Sequence, residues 1–550
     1  MKLSAEEVAT CIRVLELALE KRGLLGELED DTRRRLLEAA GRLTRPARHE
    51  LKQLAKTLRR KHRNQKRAHD AQLVDATEMR TAQRQPVFAA PAERGPAQGQ
   101  AAEGLTAEGE DRTARPEALP QDELKYSRNC YVCKSEFRRL HFFYDQMCPP
   151  CAELNYAKRT QSAALHGRIA VVTGARLKIG YHVALKLLRA GARVVVTTRF
   201  PHDAAERFAR EADFAAWRER LQVYGLDLRH TPSVELFAAH LAATLPHVDY
   251  LINNAAQTVR RPPPFYAHLL PRERAESATL GAGAAALLAG HERLTGELRA
   301  AAALPAGAAG GAAGAGALVA GAGAGGSAVG SGGVVAWHGG GGSGVGLWGS
   351  AELTQLPCAE ADEPAMPPGV AAFPAGEVDQ DLQQIDLRQH NTWRLTLAEV
   401  PVPELLEVHL VNAVAPFVLA ARLRPLLEQS PLPRRHVVNV SAMEAQFARR
   451  KKTDKHPHTN MAKASLNMMT RTSAPDYLEA GIYMNSVDTG WVTDEDPLLH
   501  VARKQHIHDF HPPLDIVDGA ARVLDPIFDG ERTGSPPSGV FFKDYRSVPW

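Results

Sequence analysis

Four cysteines and one glycine-containing loop bring together residue types that are spaced for chemistry. Cys130-Tyr-Val-Cys133 and Cys148-Pro-Pro-Cys151 are two C-x-x-C pairs separated by fourteen residues. Such knuckles deliver four thiolates, enough to close a tetrahedral shell around Zn²⁺. With every position filled by protein, none is left for water or substrate, so a metal held there is structural. Phe137, Leu140, Phe142, Phe143 and Tyr144 lie between the pairs and supply a small core, while His141 packs beside it or faces solvent. Four unligated buried cysteines are the alternative. A RING-type ligase does not fit, because that fold needs a second ligand set that this chain lacks.

The loop follows a continuous apolar run, Arg168-Ile-Ala-Val-Val-Thr173, which predicts a buried parallel strand. Thr173-Gly-Ala-Arg-Leu-Lys-Ile-Gly180 then leads into an amphipathic stretch to Arg189. Strand, tight turn and helix N-terminus together make a pyrophosphate cradle. Gly174 permits the turn and Gly180 the close helix–strand approach. The next strand, Arg193–Thr198, ends at Arg199, nineteen residues after Gly180. An acid there would grip the ribose of NAD, whereas a basic residue suits the 2′-phosphate of NADP. Arg176 and Lys178 add positive charge nearby, so the loop points to NADP(H). A surface arginine is the bland alternative for Arg199, and a solvent-facing side chain for Lys178.

Further motifs follow in order. They are Asp227 in Gly225-Leu-Asp-Leu, Asn253-Asn254-Ala255-Ala256, Asn412 in Val411-Asn-Ala-Val, Asn439-Val-Ser441, and Lys463 four residues after Thr459. With T-G-x-x-x-x-I-G at Thr173–Gly180, they resemble the short-chain dehydrogenase/reductase family over about residues 167–270 and 380–550. The resemblance implies a doubly wound parallel α/β sheet and NADP(H)-dependent carbonyl/alcohol chemistry. It implies a cofactor held by Thr173, Gly174, Arg176, Lys178, Ile179, Gly180, Arg199, Asp227, Asn254 and Ala255, with Asp227 at the adenine. It further implies that Asn412 orders a water relay, that Ser441 closes the fifth strand, and that Lys463 holds the nicotinamide ribose.

Three departures from the family pattern bear on the chemistry. Lys178 stands where the phosphate loop has its middle glycine. Thr459 stands where the family has the tyrosine that acts as general acid and base, and an aliphatic hydroxyl is a far weaker acid than a phenol. Ser441 is followed by Ala442, so the second, catalytic serine is missing. Thr459 is expected to orient a water or substrate and, with a nearby histidine, to stand in for the tyrosine; His456 or His458, or Asp454 through water, just before it, are replacements for the proton, with surface positions as their alternative. Asp488 stands where the family commonly has proline, while Thr489, Gly490 and Thr493 reach the cofactor. The segments 380–410 and 490–515 line the substrate side, where Trp491 and His506 face the pocket or simply pack.

The elements that must position these groups fall into four segments of the 550 residues. Residues 1–70 read as helical: Ser4 and Glu7 form a capping box, a short helix spans Arg33–Ala40 with Gly41 as its stop, and a third begins near Pro46. Positions 42–67 hold eleven Lys or Arg and one acid, Glu50, which reads either as a solvated face or as a nucleic-acid contact. Residues 71–125 read as a disordered linker, 126–160 as the cysteine module, and 167–550 as the α/β domain. An Ala/Gly-rich insertion interrupts that domain at about 271–378. The net charge of +4 names no partner. No apolar run of membrane length and no signal-peptide pattern occurs, which leads us to expect a reducing, cytoplasmic location.

Three functions remain open from sequence. One is an atypical oxidoreductase with an unidentified small-molecule substrate. Another is a pseudoenzyme that binds NADP(H) and acts as a binding protein. The third is a nucleic-acid binder with a redox-sensing domain. Assembly as a homodimer or tetramer, through the helix that begins near Thr459, is expected from the family resemblance.

Overall fold

The structure is a computed structural model that describes residues 4–88, 123–303, 344–357, 371–389, 391–449, 452–493, 495–496, 498–509 and 511–550. The chain divides into two units, Met1–Leu73 with Leu124–Tyr126, and the rest.

The first unit is helical. Helix α1 (Ala5–Glu20) opens on the expected capping box: Glu7 N donates to Ser4 Oγ at 3.1 Å and Ser4 N to Glu7 Oε2 at 2.7 Å. Helix α2 spans Asp30–Thr44 and is longer than the Arg33–Ala40 expectation. Asp30 and Asp31 pair with Arg33 and Arg34 in its first turn. Gly41 lies on the surface with open space around it, so it does not stop the helix and costs only about 1 kcal/mol relative to alanine. Helix α3 runs from Arg48 to Asp75.

The second unit begins with a correction to the expected linker at 71–125. Helix α4 (Glu78–Gln83) buries Met79, Arg80 and Ala82. Glu78 N and Met79 N donate to Phe142 O and Phe143 O, both at 3.0 Å, and Arg80 pairs with Asp145 at 2.8 Å. Composition hid this element, because the anchoring comes from a few residues rather than an apolar run. Residues 89–122 lie outside the described part. The cysteine module pairs Arg128–Asn129 with Glu136–Phe137 as a two-stranded ribbon and adds helix α5 (Pro149–Arg159).

The main sheet has eight strands: β1 (Ile169–Thr173), β2 (Arg193–Thr198), β3 (Leu221–Gly225), β4 (Tyr250–Asn253), β5 (Arg435–Ser441), β6 (Ile482–Asp488), β7 (Phe541–Lys543) and β8 (Arg546–Val548). Their order is 8-7-6-5-4-1-2-3, parallel except for the β7–β8 hairpin. The chain reverses direction across the sheet between β1 and β4, the switch point at which doubly wound sheets bind ligands.

Successive side chains of β1 alternate between two cores, as a strand buried on both faces requires. Ala170 and Val172 join helices α6 (Lys178–Arg189) and Ile516–Thr533. Ile169 and Val171 join helices Thr231–Thr244 and Ala415–Glu428.

The insertion expected at 271–378 is ordered at both of its inner edges. Helix Ala282–Ala303 places Leu287 and Leu288 in the same core as Val223 of β3, and Leu294 on the opposite side. The helix Val345–Trp348 returns to the sheet, where Gly346 O accepts from Asp227 N at 2.7 Å. Well-spaced leucines thus turn an alanine-rich segment into a core helix. Residues 304–343 and 358–370 lie outside the described part. One stretch among the described residues, Val402–Glu428, is long and apolar enough to cross a membrane, and half of it is buried in the protein.

Candidate active site

The carboxyl ends of β1, β2 and β4–β6 open into a cleft of about 1140 Å³. At its floor the phosphate loop has the expected geometry. Gly174 has φ +68°, and a Cβ there would sit 2.8 Å from Ala255 Cα. A Cβ on Gly180 would sit 2.3 Å from both Asn254 Nδ2 and Gly174 O. Asn254 Nδ2 donates to Thr173 O (3.0 Å) and Gly174 O (3.1 Å), while Thr173 Oγ1 accepts from the amides of Asn254 and Ala255, both at 3.1 Å. Thr173 and Asn254 therefore hold the turn in shape. Helix α6 starts at Leu177 without a side-chain cap. Its first amide donors are thus directed at the cleft, a ready anion site.

Lys178 takes φ +52°, a conformation easier for the glycine it replaces. Its Nζ lies 3.8 Å from Asp381. Burial pulls its pKa down, but Glu495, Asp381 and Asp379 outweigh that and raise it. It lines the cleft beside these acids and stays partly exposed. Ile179 points the other way, packing on the cysteine-module core and within 2.8 Å of where a Gly519 Cβ would lie.

Beyond β2 the cleft turns cationic. Arg199 donates to Tyr266 Oη at 2.8 Å with its guanidinium 4.8 Å over the ring. Arg176 pairs with Asp203 at 2.8 Å and lies 5.1 Å over Phe200. Burial pushes the Tyr266 hydroxyl up, yet Arg199 and Arg261 outweigh it and hold its pKa below the ordinary value. Sequence reasoning missed Tyr266 and Arg261, which no motif marks.

Asp227 is in the wall, but its buried carboxylate is taken by Arg229 at 2.6 Å. Burial pushes its pKa up and Arg229 more than reverses this. Arg229 continues to Glu407 (2.8 Å), which also accepts from Gln257 Nε2 (2.9 Å) and Arg260 Nε (3.2 Å). This network was also invisible in the sequence.

The catalytic expectations divide. Asn412 sits on a π-helical turn, Leu410–Val414, a feature often found at functional sites. It was expected to order a water relay. Instead its Oδ1 accepts from Gln257 N (2.7 Å) and its Nδ2 donates to Gln257 O (3.0 Å), so the amide braces the chain leaving β4. Ser441 ends β5 in the cleft wall, and its Oγ has no hydrogen-bond partner. Lys463 donates to Val440 O at 2.6 Å, and burial lowers its pKa to about 8.

Thr459 is corrected. It is buried, its Oγ1 is unpartnered, and it does not reach the cleft wall. The face of helix Pro457–Glu479 that does reach the wall carries Asn460 and Lys463, with His456 at its N-cap. His456 stacks on Trp393 (3.9 Å between rings, 9°), and its Nδ1 lies 3.1 Å from Trp393 O. A carbonyl only accepts, so Nδ1 carries hydrogen and Nε2 is left for proton exchange. Burial lowers the His456 pKa. His458 is buried away from the cleft, 3.5 Å from Glu404. Asp454 is exposed and pairs with Lys455 at 3.7 Å.

Past β6, Asp488 Oδ1 accepts from Met443 N (3.1 Å) and its Oδ2 pairs with Lys543 (3.1 Å). Thr489, Gly490, Trp491 and Thr493 line the same end, and the His506 side chain lies outside the described part.

The four cysteine sulfurs all lie within 4.8 Å of one another, with Cys133 and Cys148 at 3.6 Å. A tetrahedral ion with Zn–S bonds of ~2.3 Å spaces sulfurs ~3.8 Å apart, so the cluster fits a metal. Two residues of the first knuckle, Tyr131 and Lys134, stand in the cleft wall. Trp491 N donates to Tyr131 Oη at 2.9 Å.

Comparison with known proteins agrees with this doubly wound architecture. Residues 168–269 match the short chain dehydrogenase family, and residues 375–507 match the enoyl-(acyl carrier protein) reductase family. Both matches lie within the α/β unit. The chain is 27% identical to the uncharacterized protein R665 of Acanthamoeba polyphaga mimivirus over 421 residues, 73% of this chain and 71% of that protein. Shorter matches reach the Drosophila melanogaster WW domain-containing oxidoreductase (38% over 94 residues, 16% and 22% of the two chains) and mouse retinol dehydrogenase 11 (38% over 96 residues, 18% and 30%). The chain thus spans less than a third of either named oxidoreductase. Among solved structures, the Pseudomonas aeruginosa RhlG/NADP complex is 16% identical (TM-score 0.37, 69% and 95% of the two chains). NADPH-bound carbonyl reductase from chicken fatty liver is 15% identical (TM-score 0.37, 70% and 100%).

Proposed function

We propose that the α/β unit is an NADP(H)-dependent oxidoreductase acting on a carbonyl/alcohol pair. The observation that carries this reading is the paired placement of Arg199 and Arg176 at the end of β2, beside an uncapped helix N-terminus at the switch point. That arrangement suits a phosphorylated dinucleotide. NADP(H), when bound, supplies or accepts the hydride. The amides opening α6 hold the pyrophosphate, and Arg199 with Arg176 holds the 2′-phosphate. Lys463 positions the nicotinamide ribose. The free Ser441 hydroxyl donates to the substrate oxygen, and His456 Nε2 exchanges the proton that the missing tyrosine would have carried. The four cysteines take a structural Zn²⁺.

Exposed Phe417 and Leu406, with Met461 and Met468 on the helix that carries Lys463, offer an apolar face for pairing with a second copy. The test is titration with NADPH and NADH, followed by a carbonyl panel on wild type, Lys463→Ala and His456→Gln. Turnover with NADPH that both substitutions abolish supports the enzyme. Tight NADPH binding without turnover on any carbonyl makes the protein a dinucleotide-binding pseudoenzyme instead, and no binding of either nucleotide removes the reading altogether.

A further inference from the structure

Helix α3 carries the most concentrated charge of the first unit. At about 100° per residue, Arg48, Lys52, Lys56, Arg59, Arg63 and Lys66 fall within an arc of about 80°, with Arg60 and Arg67 on its flank. The row is about 27 Å long at ~1.5 Å per residue. Except for Lys66, which is half-buried, these residues are exposed, and among the described residues none has an ion-pair partner. The only acid between Arg48 and Arg67 is Glu50, which lies off the arc and caps the backbone, accepting from Ala47 N at 2.8 Å. A row of uncompensated cations is held in register by nothing but the helix itself.

We propose that this face binds the phosphate backbone of a double-stranded nucleic acid, independently of sequence. Charge complementarity selects a polyanion. The row continues past the helix's large apolar residues: Leu51, Leu54 and Leu58 face away from it and end after two turns. A membrane-surface helix keeps its apolar face along its whole length, so a lipid surface fits less well. Single strands fit less well too, because α3 has no Phe, Tyr or Trp on which a base stacks. The arc holds no Asn or Gln to read adenine, and its long flexible cations match the regular phosphate spacing, so phosphate contacts dominate.

The test uses the full-length protein and a labelled random-sequence 24-base-pair duplex, DNA and RNA, read by fluorescence anisotropy across KCl concentrations. With about six phosphate contacts, log K falls with log salt at a slope near −5, so affinity drops about 10³-fold between 50 and 200 mM. The triple variant Arg59→Glu/Arg60→Glu/Arg63→Glu is expected to lower affinity at least 100-fold and to flatten the slope by about 3. Circular dichroism and the NADPH thermal shift confirm that the variant folds, and Arg→Gln at the same positions is the milder alternative if it does not. Absence of duplex binding at 50 mM KCl, binding unchanged in the variant, or binding only to phosphatidylserine vesicles overturns the proposal.

Discussion

Arg199 is the residue on which the choice of dinucleotide rests, and the structure sets the size of its contribution. The guanidinium is pre-positioned by the Tyr266 hydroxyl at 2.8 Å and by the ring beneath it, so little ordering entropy remains to be lost on binding. A 2′-phosphate carries about −1.5 to −2 charges at neutral pH. A charge-assisted hydrogen bond of this kind is worth about 1.5–3 kcal/mol after solvent screening, which corresponds to about a 10- to 150-fold change in affinity. Arg176 contributes less, because Asp203 already neutralises much of its charge at 2.8 Å. Arg199→Ala is therefore expected to weaken NADPH about 10- to 150-fold and to leave NADH within about two-fold, while Arg176→Ala has a smaller effect. Calorimetric titration of both nucleotides against both variants reads this directly. The reasoning is refuted if Arg199→Ala weakens NADH as much as NADPH, or weakens neither.

Other expectations follow from single contacts. Lys463 is buried with Val440 O as its hydrogen-bond partner, and its pKa of about 8 lies below the unfolded value near 10.5. The unfolded chain then binds more protons between those values, so stability rises as pH climbs from about 8 to 10.5. Lys463→Met is expected to stabilise the nucleotide-free protein at pH 7 by on the order of 3 kcal/mol and to lose that advantage above pH 10.5, while turnover disappears. Denaturant titration at both pH values measures it. Thr459→Tyr overfills a buried position that misses the cleft and is expected to cost about 1–3 kcal/mol without raising turnover, as urea melts and a carbonyl assay will show. Wild-type carbonyl reduction is expected to accelerate as pH falls below 6.5, because burial lowers the His456 pKa. The wild-type pH–rate profile reads this, and a flat profile below pH 6.5 refutes it. Gly180→Ala drives a Cβ to 2.3 Å from Asn254 Nδ2 and the backbone Gly174 O, so NADPH binding should be lost and the melting temperature should fall with it.

What the sequence disclosed is what short stretches of backbone dictate. The apolar run of β1, the two glycines that admit no Cβ, the arginine one strand later and the doubled C-x-x-C pairs each encode their geometry within a few residues. What it concealed depends on distant chain segments meeting. Arg80 belongs to Asp145 and the Glu407 carboxylate collects Arg229, and Arg260 with Gln257, from two separate stretches, and neither arrangement leaves a local pattern. Helix Ala282–Ala303 was obscured because alanine and glycine dominate its composition while three leucines decide its burial. His456 supplants Thr459 for a similar reason. Spacing to Lys463 singles out the threonine, but the indole of Trp393, more than sixty residues upstream, is what sets the imidazole in the wall.

Tyr131 lies between Cys130 and Cys133 yet stands in the wall of the cleft. Val492, Leu514 and Ile516, from the chain beyond β6, share one apolar cluster with Cys130, Cys148 and Cys151. This end of the cleft is therefore fastened to the cysteine module as well as to the sheet. Oxidising those four thiols is thus expected to reshape this end of the cleft and, through Ile179, to disturb the loop that opens α6.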